Sequence, residues 1–441
     1  MRETVIWVGF GAVAVVFGGL VGFGVVDAGL ALLTMVLLVT VGVVAFRLRT
    51  PRDGSWLPQL VLGAYVVKLM GSAARYSVLV YTYAGVGDAT GYHGRGLRLA
   101  EVWSTFTIPT SGLTGSASTR IVQQVTGLLY VPYRPSMLGG FFIFATLAFF
   151  GQLLFYAAFR RAEPDGRLKW YAIAVLFVPT LVFWPSSIGK ESLMILLIGT
   201  GAYAVARLFD GYRLRWVLLF GAALAGTAAV RVHIVVLLVA AFTGTVILTR
   251  HPAGGGARAR RVVLIATAIL SLVLVVTLTA QTFDIDPSGS DIDPFLTELE
   301  RRTQEGGSAI EGRPVTSLAD VPAAIGRVLF RPFPTEAHNA QGVLSSLEGV
   351  ALMALLIWRL PRMIRGLSSL RRRPYLMFSF FFTIGFVVVF SAVFNLGILA
   401  RQRSQVFPFV LALLVGLGWP QTPPGGHSDR DESPLSNQRS R

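Results

Sequence analysis

Long stretches of this chain carry no Asp, Glu, Lys or Arg, and that depletion constrains the fold more than any motif does. Only 14% of its 441 residues are charged and 53% are hydrophobic. Soluble domains run at about 25% charged and about 45–50% apolar. Apolar runs of roughly 20 residues without charge are what helices crossing a bilayer require. About twelve such runs can be drawn: 5–26, 28–46, 57–81, 138–159, 170–185, 190–207, 215–230, 233–249, 262–281, 343–358, 375–394 and 405–419. The expected fold is therefore all-α, a polytopic transmembrane helix bundle over residues 1–420. The run from Val5 to Val26 is too long for a signal-peptide core and is read as a span. The tail, 421–441, is rich in Pro, Ser, Gly and charge and is read as disordered.

The net charge of +16 suggests nucleic acid until its distribution is considered. The basic residues sit in short loops between apolar runs. Arg47, Arg49 and Arg52 follow the second run, Arg160, Arg161, Arg167 and Lys169 the fourth, and Arg207, Arg213 and Arg215 the sixth. Arg250, Arg258, Arg260 and Arg261 follow the eighth, and Arg359 through Arg373 the tenth. Every second loop is basic, which by the positive-inside rule places these loops and both termini in the cytoplasm of a cell-membrane protein. No nucleic-acid partner is expected. The opposite side carries two long loops, 82–137 and 282–342, the second opening with Asp284, Asp286, Asp291, Asp293, Glu298 and Glu300.

The same topology sorts the polar residues near the run ends. Asp88, Tyr92, Lys190, Glu191, Arg231, His233, Glu348, Arg401 and Arg403 all fall on the side away from the basic loops. Taken singly they have ordinary explanations: a solvated carboxylate at Asp88, helix-terminus charges at Lys190 and Glu191, a turn between two helices at Arg231 and His233, snorkelling anchors at Arg401 and Arg403. Taken together they suit a phosphate-bearing substrate, because Arg clamps phosphate and a carboxylate or His accepts a proton from an attacking hydroxyl. Lys68 and Arg75 lie inside the third run and must face protein or a wet cavity.

Other chemistries fail on the residues. The absence of cysteine excludes disulfides, thiolate nucleophiles and Cys-based metal sites. Gly189-Lys190 is not a phosphate-binding P-loop, since Glu191 follows the lysine and Trp184 stands where the first glycine belongs. Asp284-Ile-Asp286 and Asp291-Ile-Asp293 read as an acidic loop rather than a nucleotide-sugar site. His251, His338 and His427 show no metal-ligand spacing, so no cofactor is expected and a divalent metal finds no support.

The segments Gly87-Asp88-Ala89-Thr90-Gly91-Tyr92, Phe183-Trp184-Pro185-Ser186-Ser187-Ile188-Gly189-Lys190-Glu191, Arg231-Val232-His233 and Arg401-Gln402-Arg403 resemble short polar motifs of polytopic GT-C-type glycosyltransferases. They are also similar to motifs of the O-antigen or exopolysaccharide repeat-unit polymerases. The resemblance implies an enzyme that transfers sugar from a polyprenyl phosphate or pyrophosphate on the extracytoplasmic face. It implies Asp88 as the base, with Glu191 or His233 as substitutes. Lys190, Arg231, Arg401 and Arg403 would bind the phosphate, and Trp184, Tyr92 or Tyr130 would stack on a sugar. Its partners would be the lipid-linked saccharide, membrane lipid and cell-envelope glycan assembly proteins. One departure is that the first external loop offers Asp88 without a clear acidic pair, Glu101 being the nearest other carboxylate. The competing reading is a transporter or flippase for an anionic lipid-linked or small solute, with the same charges lining a path.

Overall fold

A computed structural model describes residues 27–49, 56–107, 115–164, 166–211, 213–250, 261–273, 315–337, 340–393 and 395–417. The first apolar run, the acidic stretch after 282, the three histidines His251, His338 and His427, and the 421–441 tail lie outside them. Among the described residues the chain is helical, with no β-strand. The long helices are α1 (Ala28–Leu48), α2 (Trp56–Ser77, running into a π-turn at Val78–Thr82), α5 (Met137–Ala162), α8 (Lys190–Asp210) and α13 (Ala340–Gly366). Between them lie α3 (Asp88–Ser104), α4 (Ala117–Tyr130), α6 (Leu168–Phe177), α7 (Pro179–Phe183), α9 (Leu214–Val230), α10 (Val232–Leu248), α11 (Arg261–Val273) and α12 (Val321–Phe330). The chain closes with α14 (Pro374–Phe390), α15 (Leu396–Gln402) and α16 (Phe407–Gly416).

Among the described residues five helices are long and apolar enough to cross a membrane, or six if the pair around α15 and α16, bent by 55°, counts as one span. That is compatible with a membrane location; of the twelve runs drawn from the sequence, the first lies outside the described residues. Several runs became shorter apolar helices, α9, α10 and α14 among them. The 170–185 run is broken in two at Pro179, whose ring and missing N–H interrupt a helix.

The core is built on α5, buried over 72% of its most apolar window, against 22% for α13 at the periphery. Alpha-5 crosses α8 so closely that a Cβ at Gly151 would collide with the carbonyl oxygen of Ile195, and one at Gly199 with that of Gly151. Small residues at such crossings let backbones approach where lipid offers no hydrophobic drive. The exposed faces of α1 and α13 carry Leu32, Val36, Val43, Leu344, Leu347 and Trp358, an apolar exterior suited to lipid.

Breaking helices inside an apolar core frees backbone groups that need partners. Here the buried charges supply them. Glu348 on α13 accepts from Thr180 N at 3.0 Å and Thr180 Oγ1 at 2.6 Å, capping the start of α7. Lys68 Nζ donates to Leu181 O at 2.6 Å and Ser72 Oγ to Ser186 O at 2.9 Å. Arg403, with no exposed surface, donates to Arg331 O at 2.7 Å and to the carbonyls of Leu329 and Ser345.

The helices run up and down, so their ends gather at two poles. At one pole Arg160 donates to Leu48 O at 2.6 Å, Arg161 pairs with Asp210, and Arg373 pairs with Glu163 and donates to Gly416 O. The loops after α1, α5, α8, α10 and α13, basic in sequence, meet there. The other pole holds the cavity.

Candidate functional site

A cavity of about 1080 Å³ opens at the pole opposite the basic loops. Three helix starts aim into it. Alpha-3 begins on Asp88 and α8 on Lys190 and Glu191, and Arg231 occupies the extended break between α9 and α10. A carboxylate in a first helical turn is stabilised by the unpaired N–H groups there, which suits Asp88 and Glu191. The short helix α15, started by the Asn395 side chain accepting from Ile398 N at 3.1 Å, brings Arg401 and Gln402 to the wall.

Of the nine residues singled out from the sequence, Asp88, Tyr92, Trp184, Lys190, Glu191, Arg231 and Arg401 line this one cavity. His233 and Arg403 do not. The His233 ring lies against Phe390, centroids 5.8 Å apart, and the Arg403 guanidinium is taken up by backbone carbonyls. Tyr130 is also away from the lining, fully buried and bonded through its hydroxyl to His93 Nδ1 at 3.0 Å. Burial keeps His93 below the usual histidine range, so the imidazole of this pair is neutral at pH 7.

The charged groups of the cavity divide by how they are partnered. Arg231 is paired with Glu191 at 3.0 Å and donates to Gln402 Oε1. Glu336 accepts from Arg331 Nε and Phe333 N, bonds that hold its carboxyl below the usual range. Lys190 Nζ donates to Ser118 Oγ on α4 at 2.9 Å, and Arg401 Nε to Gly397 O at 3.2 Å. Among the described residues neither Lys190 nor Arg401 has a carboxylate at ion-pair distance. Asp88 is exposed at the rim and is likewise without an ion-pair partner there. The Tyr92 phenol is raised above its usual value by burial and by the Asp88 charge, so it stays protonated and can donate.

Sequence reasoning missed Glu336, Gln341 and Asn395, which also line the cavity. Glu336 and Gln341 sit in or beside the long second loop, where no apolar period marks which polar residues turn inward. Among the described residues no group of three or more His, Asp or Glu side chains could hold a metal. No family model, curated protein or solved structure matches the chain.

Proposed function

We propose that the protein is a multi-pass membrane glycosyltransferase or polysaccharide polymerase that takes sugar from a polyprenyl phosphate or pyrophosphate. The observation that carries this reading is the pair Lys190 and Arg401, lining one cavity with no carboxylate at ion-pair distance among the described residues. Cations in such a site are stabilised by an anionic ligand, and phosphate is the anion that Arg and Lys together suit. The basic pole faces the cytoplasm under the positive-inside rule, which turns the cavity to the extracytoplasmic side.

In the reaction the acceptor hydroxyl attacks the anomeric carbon of the donor sugar. Asp88 takes the hydroxyl proton, the new glycosidic C–O bond forms, and the old bond to phosphate breaks with its electron pair leaving on phosphate. Lys190, Arg401 and Arg231 stabilise that leaving group. Asp88 is favoured over Glu191 and His233 as base because Glu191 is tied to Arg231 and His233 packs on Phe390 outside the cavity. A transporter would place its binding site near the bilayer midplane. Lys190, Glu191, Arg231 and Arg401 instead gather at one pole, while the deeper Lys68, Glu348 and Arg403 bond to backbone.

The test is transfer of labelled sugar from a polyprenyl-linked donor by the purified full chain in lipid. Wild type turns over; Asp88→Asn and Arg231→Ala lose turnover by about a hundredfold or more while expressing normally. Full activity in both variants overturns the assignment.

A further inference from the structure

Arg75 lies in the last turns of α2, inside a helix long and apolar enough to span, where an ionised side chain needs a partner. Its partners are two aromatic faces. The guanidinium carbon stands 4.8 Å from the Trp184 ring centroid and 5.2 Å from that of Phe183. Among the described residues no carboxylate lies at ion-pair distance and no acceptor at hydrogen-bond distance from it. An aromatic face holds a cation without neutralising it, and a stacked guanidinium keeps its N–H edge free for another acceptor. Arg75 lines the cavity together with Trp184, Lys190 and Arg401.

The local sequence builds this cradle. Lys68, Gly71, Ser72 and Arg75 are spaced i, i+3, i+4 and i+7, one face of α2. Lys68 and Ser72 bond to the carbonyls of Leu181 and Ser186, on either side of the two rings. Gly71 permits the approach: a Cβ there would stand 2.6 Å from the Val182 side chain. Trp184 is 9% exposed, and its ring carries Arg75.

We propose that Arg75 is a further anion-binding residue of the cavity, and that Trp184 and Phe183 are its positioning residues. This rests on the phosphate reading above. The contrast with the other arginines is what singles Arg75 out. Arg403 lies outside the cavity with both terminal nitrogens on backbone carbonyls, and Arg231 is engaged by Glu191 and Gln402, whereas Arg75 lines the cavity held only by two rings.

The test is binding of inorganic pyrophosphate to the purified full chain, by calorimetry and by the change in Trp184 emission, read as wild type minus Trp184→Phe. Arg75→Gln is expected to weaken binding about tenfold, the size of a lost hydrogen bond to a charged group. Trp184→Leu should weaken it similarly, and Trp184→Phe, which keeps a ring, should restore most of the affinity. Arg401→Gln separates the two ideas. If wild type binds, Arg401→Gln weakens binding, and Arg75→Gln with a folded Trp184→Leu binds as wild type, the Arg75 assignment is overturned and the phosphate reading stands. If wild type takes no pyrophosphate, both fall. Monodisperse elution of each variant excludes misfolding as the cause.

Discussion

The two poles of the bundle use the same residue types in opposite ways. At the basic pole Arg373 and Glu163 form a buried pair, Arg161 meets Asp210, and Arg160 and Arg359 donate to helix-end carbonyls. Those arginines close helix ends against one another. At the cavity pole Lys190, Arg401 and Arg75 share a wall with no carboxylate at ion-pair distance among the described residues. Charge that is matched stabilises the bundle; charge that is left unmatched costs stability and is retained where a ligand supplies the counter-ion. The difference teaches that an arginine in an apolar chain is informative by its partners rather than by its presence.

That contrast can be broken by substitution at either pole. The largest effect on turnover belongs to Asp88→Asn and Arg231→Ala, already stated. At the basic pole Arg373→Ala breaks the buried pair with Glu163 and should cost about 3–5 kcal/mol of stability. Thermal unfolding in detergent checks this, and the fraction that remains folded should keep its activity. Arg401→Gln should do the reverse, weakening donor or pyrophosphate binding about tenfold with the melting point unchanged or raised.

A smaller effect is expected from acid. The Arg331–Glu336 pair depresses the Glu336 pKa, so its contribution is present above the usual carboxylate value of 4.5 and is lost as pH falls through the lower folded value. Glu336→Gln should therefore flatten the acid limb of a stability–pH curve below 4.5 and change nothing at pH 7 beyond a constant offset. The smallest belongs to Asp210→Asn. Its pair with Arg161 is exposed on both sides, and the loss should stay within about 1 kcal/mol.

The all-helical fold was legible because charge depletion is a whole-chain signal. The alternation of basic loops was enough to bring most of the site to one pole. The number of crossing helices was less legible. Pro179 splits one apolar run, and α9, α10 and α14 are apolar but shorter than the five long helices among the described residues. The two site residues that miss the cavity each sit two positions after one that lines it. Arg401 and Arg403 lie on continuous helical backbone, where residues two apart point roughly 200° apart, so both cannot face one cavity. Arg231 is extended and His233 already belongs to α10, where its ring packs on Phe390. Topology assigns a side of the membrane and not a direction. The spacing of Lys68, Gly71, Ser72 and Arg75 was readable as one helical face. What that face clamps, the broken α6–α7 segment, depends on a tertiary approach that the sequence does not display.

The most direct test of the account is a structure of the full chain in lipid with a short-chain polyprenyl pyrophosphate bound. The account predicts the phosphates within hydrogen-bond reach of Lys190 and Arg401, with the lipid tail leading out of the cavity and Asp88 on the side open to the acceptor. Phosphate density elsewhere, or a cavity in which Lys190 and Arg401 have closed onto carboxylates of the protein itself, would contradict it.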